Sequence, residues 1–393
     1  MKEIQTKINI IGGGLIGVAA AYSLSKLGNS VVILEKNAKF DQKKISDKRT
    51  TAISEGTKKY LEKINIWKEI RNYAEPIKKI QIIDRNQSNK IYFDNQRRSS
   101  NLGYIIRNEF MLKSFYKKLQ NQKNVKIFNN VSIDDVFYKG NRIITKQKDF
   151  SVNSNLLLAS DGKNSFIRKI FKTPIYIKDY KKKAIVINFY HSKNHHNTAY
   201  EFFFKNGPLA ILPMQNNKNE FQSSIVWTNT SEFINSIISL DDNKIIDILN
   251  SKIKGSIGKI NKIITKQTFP LRAHLNSKFY EERTVYIGDS AHSFHPIAGQ
   301  GWNLGMQDLE SLYNLVKKYN SLGLELGDDV FCKEFQKNNF FKAYRLYQIT
   351  DKVDSIFKLD NSIFNHARFV IINLIERSKK LKNQISDFAM GVN

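Results

Sequence analysis

The apolar positions at the start of the chain predict a strand, a helix and a second strand in close succession. Residues 7–11 (Lys-Ile-Asn-Ile-Ile) contain three isoleucines, residues 15–27 carry apolar side chains at helical spacing, and residues 31–34 are apolar throughout. Short continuous runs are typical of buried strands, and a 3.6-residue period is typical of a helix. Gly28 follows the helical pattern and would end the helix. The order predicts a βαβ unit and therefore an α/β fold with a parallel sheet.

Later strand patterns fall into two groups. Residues 155–159 and 284–287 are short apolar runs that resemble the first two strands and would join the same sheet. Between the runs lie segments that alternate apolar and polar residues, as strands with one covered face do: 79–84, 90–93, 184–190, 200–204, 209–212 and 221–227. These segments predict a second, mixed β-sheet inserted into the first domain.

The patterns give domain boundaries. We predict a Rossmann-like first domain, an inserted second domain and a C-terminal helical segment, with residues 1–76, 102–172 and 281–350 in the first, 77–101 and 173–280 in the second, and 351–393 in the third. The inserted sheet contains Phe202, Phe203, Phe204 and Trp227, for which burial in the sheet core is favoured over lining a pocket for an aromatic ring. The C-terminal segment reads as an amphipathic basic helix, and packing on the protein body is favoured over a membrane surface.

The net charge of the chain does not change the predicted α/β fold. The chain has 393 residues, with 63 Lys and Arg against 36 Asp and Glu, a formal net charge of +27. The lysine pairs are spread along the chain with no basic arm, so a solvated basic surface is favoured, attraction to an anionic membrane comes second, and no nucleic-acid partner is expected. The single cysteine, Cys332, excludes a disulfide within the chain and a thiolate metal cluster.

The N-terminal apolar stretch is not expected to be a signal peptide, because its glycines have another explanation. Gly12, Gly14 and Gly17 form the pattern G-x-G-x-x-G between the first strand and the helix, and Glu35 follows the second strand. In such a unit the glycines allow a tight turn, close approach of a pyrophosphate and close helix packing, and the carboxylate reaches a ribose hydroxyl. These motifs predict dinucleotide binding but do not distinguish FAD from NAD(P). The single cysteine fits a protein of the reducing cytoplasm.

Two further motifs follow strands. Asp161 and Gly162 come after the run 155–159 with only Ser160 between, and Gly288 and Asp289 directly follow the run 284–287. The carboxyl ends of parallel strands meet at one edge, where ligands bind. The most specific stretch, residues 295–308, reads His-Pro-Ile-Ala-Gly-Gln-Gly-Trp-Asn-Leu-Gly-Met-Gln-Asp and leads into a helix that we expect from about Asn303 to Lys318.

This series of motifs resembles the flavoprotein monooxygenases that include the para-hydroxybenzoate hydroxylases. Residues 295–308 are similar to the corresponding run of the UbiH-type ubiquinone-biosynthesis hydroxylases, and the resemblance covers nearly the whole chain. Arg49 and Arg107 lie where the family carries arginines on the cofactor side, and residues 389–391 also look familial. Ser160 and Ser290 replace the usual alanine, and Trp302 replaces a smaller side chain, which puts the substrate fit in doubt but not the cofactor.

The resemblance implies FAD as the cofactor and gives the residues roles. Asp289 would accept hydrogen bonds from the ribityl hydroxyls, and Asp161 would lie near the pyrophosphate, held through Arg107 or Arg168. Gly299, Gln300 and Gly301, at the start of a helix that includes Asn303, would stabilise negative charge on the reduced flavin. Pro296 would shape the active-site wall. The cofactor-binding set is Gly12, Gly14, Gly17, Glu35, Arg49, Arg107, Asp161, Gly288, Asp289, Gly301 and Asn303, and the catalytic set is Pro296, Gly299, Gln300 and Gly301.

A metal site is not expected. His292 and His295 are three residues apart, but no cysteine lies near them and glycine and proline occupy the positions where further ligands would help. No paired carboxylates or Ser-His-Asp spacing stands out in the inserted domain either, which suits flavin hydroxylation, where the cofactor carries the chemistry.

The implied activity is hydroxylation of an aromatic ring by O₂ through a C4a-hydroperoxide of FAD, with NAD(P)H or another donor supplying electrons. The substrate would be a polyprenylated phenol or quinol intermediate of ubiquinone synthesis, and we expect a cytoplasmic protein that can meet the inner face of the membrane. Two alternatives stay open: a reductase of the same fold, and a low-turnover flavin-holding subunit of a ubiquinone-biosynthesis assembly. A halogenase is disfavoured, because Trp67, Trp227 and Trp302 are far apart.

Overall fold

The computed structural model describes residues 2–37, 47, 49–84, 90–94, 100–217, 220–253, 255–294, 300–358 and 376–391. Its strands are β1 (Lys2–Ile11), β2 (Val31–Leu34), β3 (Thr50–Ser54), β4 (Glu75–Ile77), β5 (Lys79–Asp84), β6 (Lys90–Asp94), β7 (Gly103–Arg107), β8 (Val125–Phe128), β9 (Asp135–Lys139), β10 (Arg142–Lys146), β11 (Phe150–Ala159), β12 (Ile175–His191), β13 (Thr198–Phe204), β14 (Gly207–Asn217), β15 (Glu220–Thr230), β16 (Ile260–Asn276), β17 (Tyr280–Glu281), β18 (Thr284–Tyr286) and β19 (His292–Ser293). Its α-helices are α1 (Leu15–Ser25), α2 (Glu55–Lys63), α3 (Trp67–Ile70), α4 (Asn108–Gln120), α5 (Phe166–Ile170), α6 (Ser231–Ile238), α7 (Asp242–Ile253), α8 (Gln300–Ser321), α9 (Asp329–Lys358) and α10 (Lys379–Met390).

The first sheet has the order β17-β18-β11-β1-β2-β8, and β10 and β9 extend it from the side of β11. Strands β8, β2, β1, β11 and β18 run parallel. The predicted βαβ unit is confirmed, with α1 ending at Ser25 and β2 spanning the expected residues. Strand β2, between β1 and β8 in this sheet, is apolar throughout rather than alternating, and all four of its residues are buried, as expected for a strand covered on both faces.

The second sheet has the order β19-β16-β12-β15-β14-β13-β5-β6 and is mixed, because β13 and β5 are parallel while its other pairs are antiparallel. Helices α6 and α7 bury isoleucines and Leu249 against one face. Trp227 and Phe202 lie in this core with almost no exposure, so the preference for sheet core over a ring pocket is confirmed for them. A small third sheet, β3-β7-β4, contacts helix α8 through β3 and strand β14 of the second sheet through β4 and β7.

The C-terminal helices confirm the predicted helical character and correct its start. Helix α9 begins at Asp329 rather than near residue 351, because Phe331, Cys332 and Phe335 already form a buried stripe with helical spacing. Residues 359–375, which carry many of the apolar positions of the predicted amphipathic helix, lie outside the described residues. Within the described part of the chain, no helix combines the length and the apolar character needed to cross a bilayer.

Candidate functional site

A cavity of about 1050 Å³ opens where the carboxyl ends of three parallel strands meet. Strand β1 leads into Gly12, β11 into Asp161 and β18 into Gly288, which is the expected position for a ligand in an open α/β sheet. The cavity brings together eight of the residues predicted from the sequence: Gly12, Gly14, Glu35, Arg49, Asp161, Gly288, Asp289 and Gly301.

The turn between β1 and α1 is built for close backbone approach. Gly12 has φ +101°, and a Cβ there would lie 2.6 Å from the carbonyl oxygen of Ser160. A Cβ at Gly17 would collide with the carbonyl oxygen of Gly12, so this glycine packs the helix against the turn. A Cβ at Gly14 would meet nothing within 4 Å on the protein side, although Gly14 lines the cavity. Gly14 therefore leaves open space for a ligand.

The N-terminus of α1 faces the same space. The residue before the helix, Gly14, supplies no side-chain cap, and no acidic residue occupies the first turn. The first N–H groups of a helix have no partner within the helix and carry partial positive charge. This end of α1 is thus suited to an anion such as a pyrophosphate.

Glu35 is buried at the end of β2. Its carboxylate accepts hydrogen bonds from the N–H of Gly13 at 2.6 Å and of Asn37 at 2.9 Å. Tyr116, from α4, donates its hydroxyl to the carbonyl oxygen of Gly13 at 3.0 Å. The glycine turn is therefore held from both sides, and the Glu35 carboxylate stays at the cavity wall.

Asp161 has a second task that the sequence did not reveal. One of its carboxylate oxygens accepts the N–H groups of Phe166 at 2.7 Å and Ile167 at 3.3 Å, which caps α5. The other is buried without a protein partner, and burial raises the pKa of this carboxyl group. Neither Arg107 nor Arg168 hydrogen-bonds to it within the described ranges, which corrects the expected arginine contact. Arg168 instead bonds the carbonyl oxygens of Ser290 and Lys163.

The third strand end is a tight turn. Gly288 has φ +58° and begins a short 3-10 turn through Ser290, with the Asp289 side chain exposed to the cavity. The Ser290 hydroxyl donates to the carbonyl oxygen of Ala159 at 2.6 Å, and Arg168 and Asn276 donate to the Ser290 carbonyl. This turn is therefore rigidly held behind an exposed carboxylate.

Arg49 and Asp47 form a two-point ion pair on another wall, with distances of 2.8 and 2.6 Å between guanidinium nitrogens and carboxylate oxygens. Although burial raises the pKa of Asp47, the hydrogen bonds from Arg49 lower it overall. Hydrogen bonding to Asp47 raises the pKa of Arg49. Arg49 is thus a fixed cation at the cavity, and Asp47 is a site residue that the sequence reading missed.

Helix α8 begins at Gln300, three residues earlier than expected. Gly301 and Trp302 line the cavity from the first turn of α8, where the N–H groups of a helix have no partner within the helix. Of the catalytic set, Pro296 and Gly299 lie outside the described residues, and the side chain of Gln300 is not described.

The side chains of two predicted cofactor-binding residues, Asn303 and Arg107, point away from the first cavity. Asn303 accepts the N–H of Ser54 and donates to the carbonyl of Ala52, both at 2.9 Å, which ties α8 to β3. Arg107 donates to the Gln222 side chain at 2.8 Å and lines a separate cavity of about 330 Å³. The structure does not bring these two side chains to the first cavity, because each is committed to a partner on another element.

The donors and the empty space at Gly14 together fit FAD: a glycine turn and a helix N-terminus for the pyrophosphate, Glu35 for a ribose, and the exposed Asp289 carboxylate for hydroxyls. A family model described as an FAD binding domain matches residues 5–321. The chain belongs to this FAD-binding family. Several similar proteins are named as ubiquinone or demethoxyubiquinol hydroxylases, and the chain is an FAD-dependent monooxygenase, as the motif resemblance predicted.

Similar proteins of this family span nearly the same length. Ubiquinone hydroxylase UbiL of Rhodospirillum rubrum is 25% identical, over 97% of this chain and 89% of its own. The mitochondrial ubiquinone biosynthesis monooxygenase COQ6 of Dictyostelium discoideum is 25% identical, over 98% and 91%. The 3-demethoxyubiquinol 3-hydroxylase of Escherichia coli K12 is 21% identical over the full length of both chains.

Solved structures show the same fold at lower identity. The p-nitrophenol 4-monooxygenase PnpA of Pseudomonas putida DLL-E4 superimposes with a TM-score of 0.81 at 16% identity, covering 99% of this chain and 98% of its own. PqsL of Pseudomonas aeruginosa, described as a probable FAD-dependent monooxygenase, gives 0.78 at 14% identity, with 94% and 99% covered. The fold of an FAD-binding domain with an inserted sheet and C-terminal helices, predicted from the sequence, is confirmed.

Proposed function

We propose that this monooxygenase holds FAD in the 1050 Å³ cavity and hydroxylates the ring of a polyprenylated phenol or quinol on the path to ubiquinone. The observation that carries the FAD assignment is the convergence of three strand ends, with their glycines and carboxylates, on one cavity. The names of the relatives, which include two ubiquinone-biosynthesis hydroxylases and a demethoxyubiquinol hydroxylase, support the substrate class.

In this proposal the pyrophosphate lies over Gly12 and Gly14 at the N-terminus of α1. Glu35 accepts a ribose hydroxyl of the adenosine half, since its carboxylate is fixed at the cavity wall. Asp289 accepts the ribityl hydroxyls, and Arg49 provides positive charge beside the phosphate or the ribityl chain. Asp161, which also lines the cavity, caps α5 and thereby keeps its loop in place beside the pyrophosphate.

The N-terminus of α8 faces the remaining end of the cavity. FAD, when bound, supplies the redox chemistry that joins one oxygen atom of O₂ to the ring, with NAD(P)H as the proposed electron donor. The backbone N–H groups of Gly299, Gln300 and Gly301 are proposed to stabilise negative charge that develops there, with the partial positive charge of the helix behind them. Pro296 is proposed to close the wall beside the reacting ring, and Trp302 narrows the same end.

The test uses purified protein and measures three quantities in order. Oxidised FAD should be released from the native protein, O₂ uptake should depend on NAD(P)H and on a prenylated phenol, and the product should gain the mass of one oxygen. O₂ uptake with no change in the mass of the phenol would indicate that the protein is a reductase of the same fold. Bound FAD without substrate-dependent O₂ uptake would favour the flavin-holding subunit.

We further propose that the protein meets its prenylated substrate at an anionic membrane surface, through one exposed face of α9. The side chain of Phe341 is 68% exposed and that of Tyr344 is 42% exposed on this face. Lys337, Lys342 and Arg345 are exposed on the same half of the helix, and none has an ion-pair partner within the described part of the chain. Each basic residue near an anionic surface contributes about 1 kcal/mol.

A second copy of the chain is a poorer occupant for this face. A two-fold interface brings the same patch together with itself, so the three cations of each copy would repel those of the other. An anionic lipid surface satisfies both the cations and the exposed rings.

Co-sedimentation with lipid vesicles tests the α9 face. The protein should sediment with vesicles that contain phosphatidylglycerol, less with pure phosphatidylcholine vesicles, and less in high salt. The double substitution Phe341→Ser with Tyr344→Ser should weaken sedimentation, whereas Tyr92→Ser, an exposed tyrosine on β6, should not. Equal sedimentation of all three proteins would contradict the role of α9.

A further inference from the structure

Behind the Gly288–Asp289 turn lies a buried pair of side chains that the FAD proposal does not use. His292, in β19, and Asp308, in α8, have side-chain exposures of 0% and 1%. The Nε2 atom of His292 lies 2.7 Å from Oδ2 of Asp308. The same Oδ2 accepts the backbone N–H of Gly288 at 3.1 Å. One carboxylate oxygen therefore connects the histidine to the first residue of the turn.

The packing around the imidazole leaves it one orientation. The ring stacks on Phe294 with centroids 5.2 Å apart and an interplanar angle of 8°, and Phe279 lies 5.6 Å away on centroids. Its other nitrogen, Nδ1, is buried with no hydrogen-bond partner among the described residues. A proton on Nδ1 would be a buried, unsatisfied donor, so the neutral tautomer with the proton on Nε2 is assigned. His292 is thus a donor to Asp308.

Helix α8 touches the turn on the same face. A Cβ at Gly305 would lie 3.0 Å from Cα of Gly288, so the helix approaches the turn backbone to backbone. Gly305 and Asp308 are three residues apart and share one side of the helix. The first turn of α8 also provides Gly301 and Trp302 to the cavity. A single helix therefore forms one wall of the cavity and also anchors the turn that carries Asp289.

We propose that His292 and Asp308 are a positioning pair that fixes the Gly288–Asp289 turn against α8 and thereby sets the affinity for FAD. Asp308 holds the N–H of Gly288, and His292 holds the Asp308 carboxylate in the rotamer that reaches it. Without this anchor the turn is still tied at Ser290, but its Gly288 end is free to move, and Asp289 loses its fixed distance from Gly301. The role rests on the proposed position of FAD in the cavity and is independent of which ring is hydroxylated.

Matched substitutions separate positioning from simple packing. The amide nitrogen of glutamine lies near the position of a histidine Nε2, whereas the shorter asparagine reaches only the position of Nδ1. His292→Gln should therefore keep the bond to Asp308, and His292→Asn should lose it. Asp308→Ala removes the acceptor for both donors. As a control, Asn339→Ala removes a buried hydrogen bond from α9 to Ser311, one turn farther along α8, without touching Gly288.

The measurements are the FAD dissociation constant, from the fluorescence of free FAD, and the melting temperature of the FAD-free protein. Asp308→Ala and His292→Asn should each raise the dissociation constant about tenfold or more, because a buried hydrogen bond to a charged group is lost. His292→Gln should stay within about threefold of the native value. The double variant Asp308→Ala with His292→Asn should bind no more weakly than Asp308→Ala alone, since both act through one bond.

Three outcomes would overturn the proposal. FAD binding by His292→Asn and Asp308→Ala at the native affinity would remove the pair from the site. A loss of affinity by Asn339→Ala equal to theirs, at an equal drop in melting temperature, would reduce the pair to packing. A native protein that binds no FAD would overturn the cavity assignment as well, which distinguishes that failure from the first two.

Discussion

The two large sheets differ in what they contact: the strand ends of the first border a cavity, and one face of the second packs against helices. In the first sheet the strand ends present backbone groups and short side chains to a cavity, and the close contacts involve Gly12, Gly17 and Gly288. In the second sheet large side chains such as Trp227 and Phe202 point into a core covered by helices. The first sheet provides open space for a ligand, whereas the second sheet provides a filled hydrophobic core. Substitutions should therefore act on affinity in one and on stability in the other.

The largest effect should come from Trp227→Ala. Removing this fully buried side chain, which packs edge to face on Phe233, should lower the free energy of unfolding by about 3–5 kcal/mol. Urea unfolding of the native and variant proteins measures the change. If the two regions are as separate as their structures indicate, the folded variant keeps the native affinity for FAD, and a large loss of affinity would contradict the separation.

Two glycines of the same turn should behave differently. Gly17→Ala should lower the free energy of unfolding by about 1–3 kcal/mol even without FAD, because its Cβ meets the backbone carbonyl of Gly12. Gly14→Ala should leave the melting temperature of the FAD-free protein unchanged and weaken FAD binding, since its methyl group occupies cavity space. A thermal melt with and without FAD distinguishes them, and identical behaviour would refute the close-approach argument.

A smaller change is expected from Asp289→Asn. The substitution keeps the size of an exposed side chain and removes the charge that would accept ribityl hydroxyls, so FAD should bind about tenfold more weakly. Fluorescence titration measures the affinity. Glu282→Gln, at an exposed position just before β18, is the matched control and should have no effect.

The smallest expected effect is on the pH dependence of stability. It involves Glu75, the first residue of β4, which lies close to the second sheet. Burial raises the pKa of this carboxyl group to about 7, although Asn197 donates to it at 2.5 Å. A raised pKa in the folded state means that the folded protein binds the proton more tightly, so stability should fall as pH rises from about 4.5 to 7. Because the side chain is 15% exposed, we expect about 1 kcal/mol. Glu75→Gln should flatten this slope in urea unfolding at pH 5 and pH 7, and an unchanged slope would contradict it.

The sequence was sufficient for the features that depend on neighbours along the chain. The glycine turn, Glu35 and the strand ends before Asp161 and Gly288 are local patterns, because a parallel sheet places every strand end at the same edge. The cavity at this edge, to which we assign FAD, could therefore be predicted from the order of the motifs. The second sheet could be predicted as a set of strands, but not in its pairing, since β13 lies beside the distant β5.

Side-chain direction at the site could not be predicted. Arg107 turns toward Gln222, which is 115 residues away in the chain, and Asn303 bonds the backbone of β3. The direction of each side chain depends on which elements pack together, and this packing cannot be predicted from residues that are near in the sequence. Asp47 was missed for a similar reason, because its importance comes from the partner, Arg49, and from the wall that the pair forms. The buried bond between His292 and Asp308 joins residues that the motif contains but whose contact only the folded chain reveals.

The adjacency of β11 and β18 in the first sheet has a consequence for biosynthesis. These strands are hydrogen-bonded neighbours, yet residues 160–283, with most of the second sheet, are made between them. A ribosome therefore delivers β1, β2 and β11 long before β18 and the Gly288–Asp289 turn that follows it, and pairings of such high sequence separation form slowly. The nascent chain can complete much of its inserted sheet while the cofactor domain still lacks one wall. In the proposed binding mode the FAD site is complete only after residue 301 has been synthesised, so the cofactor would bind late in maturation.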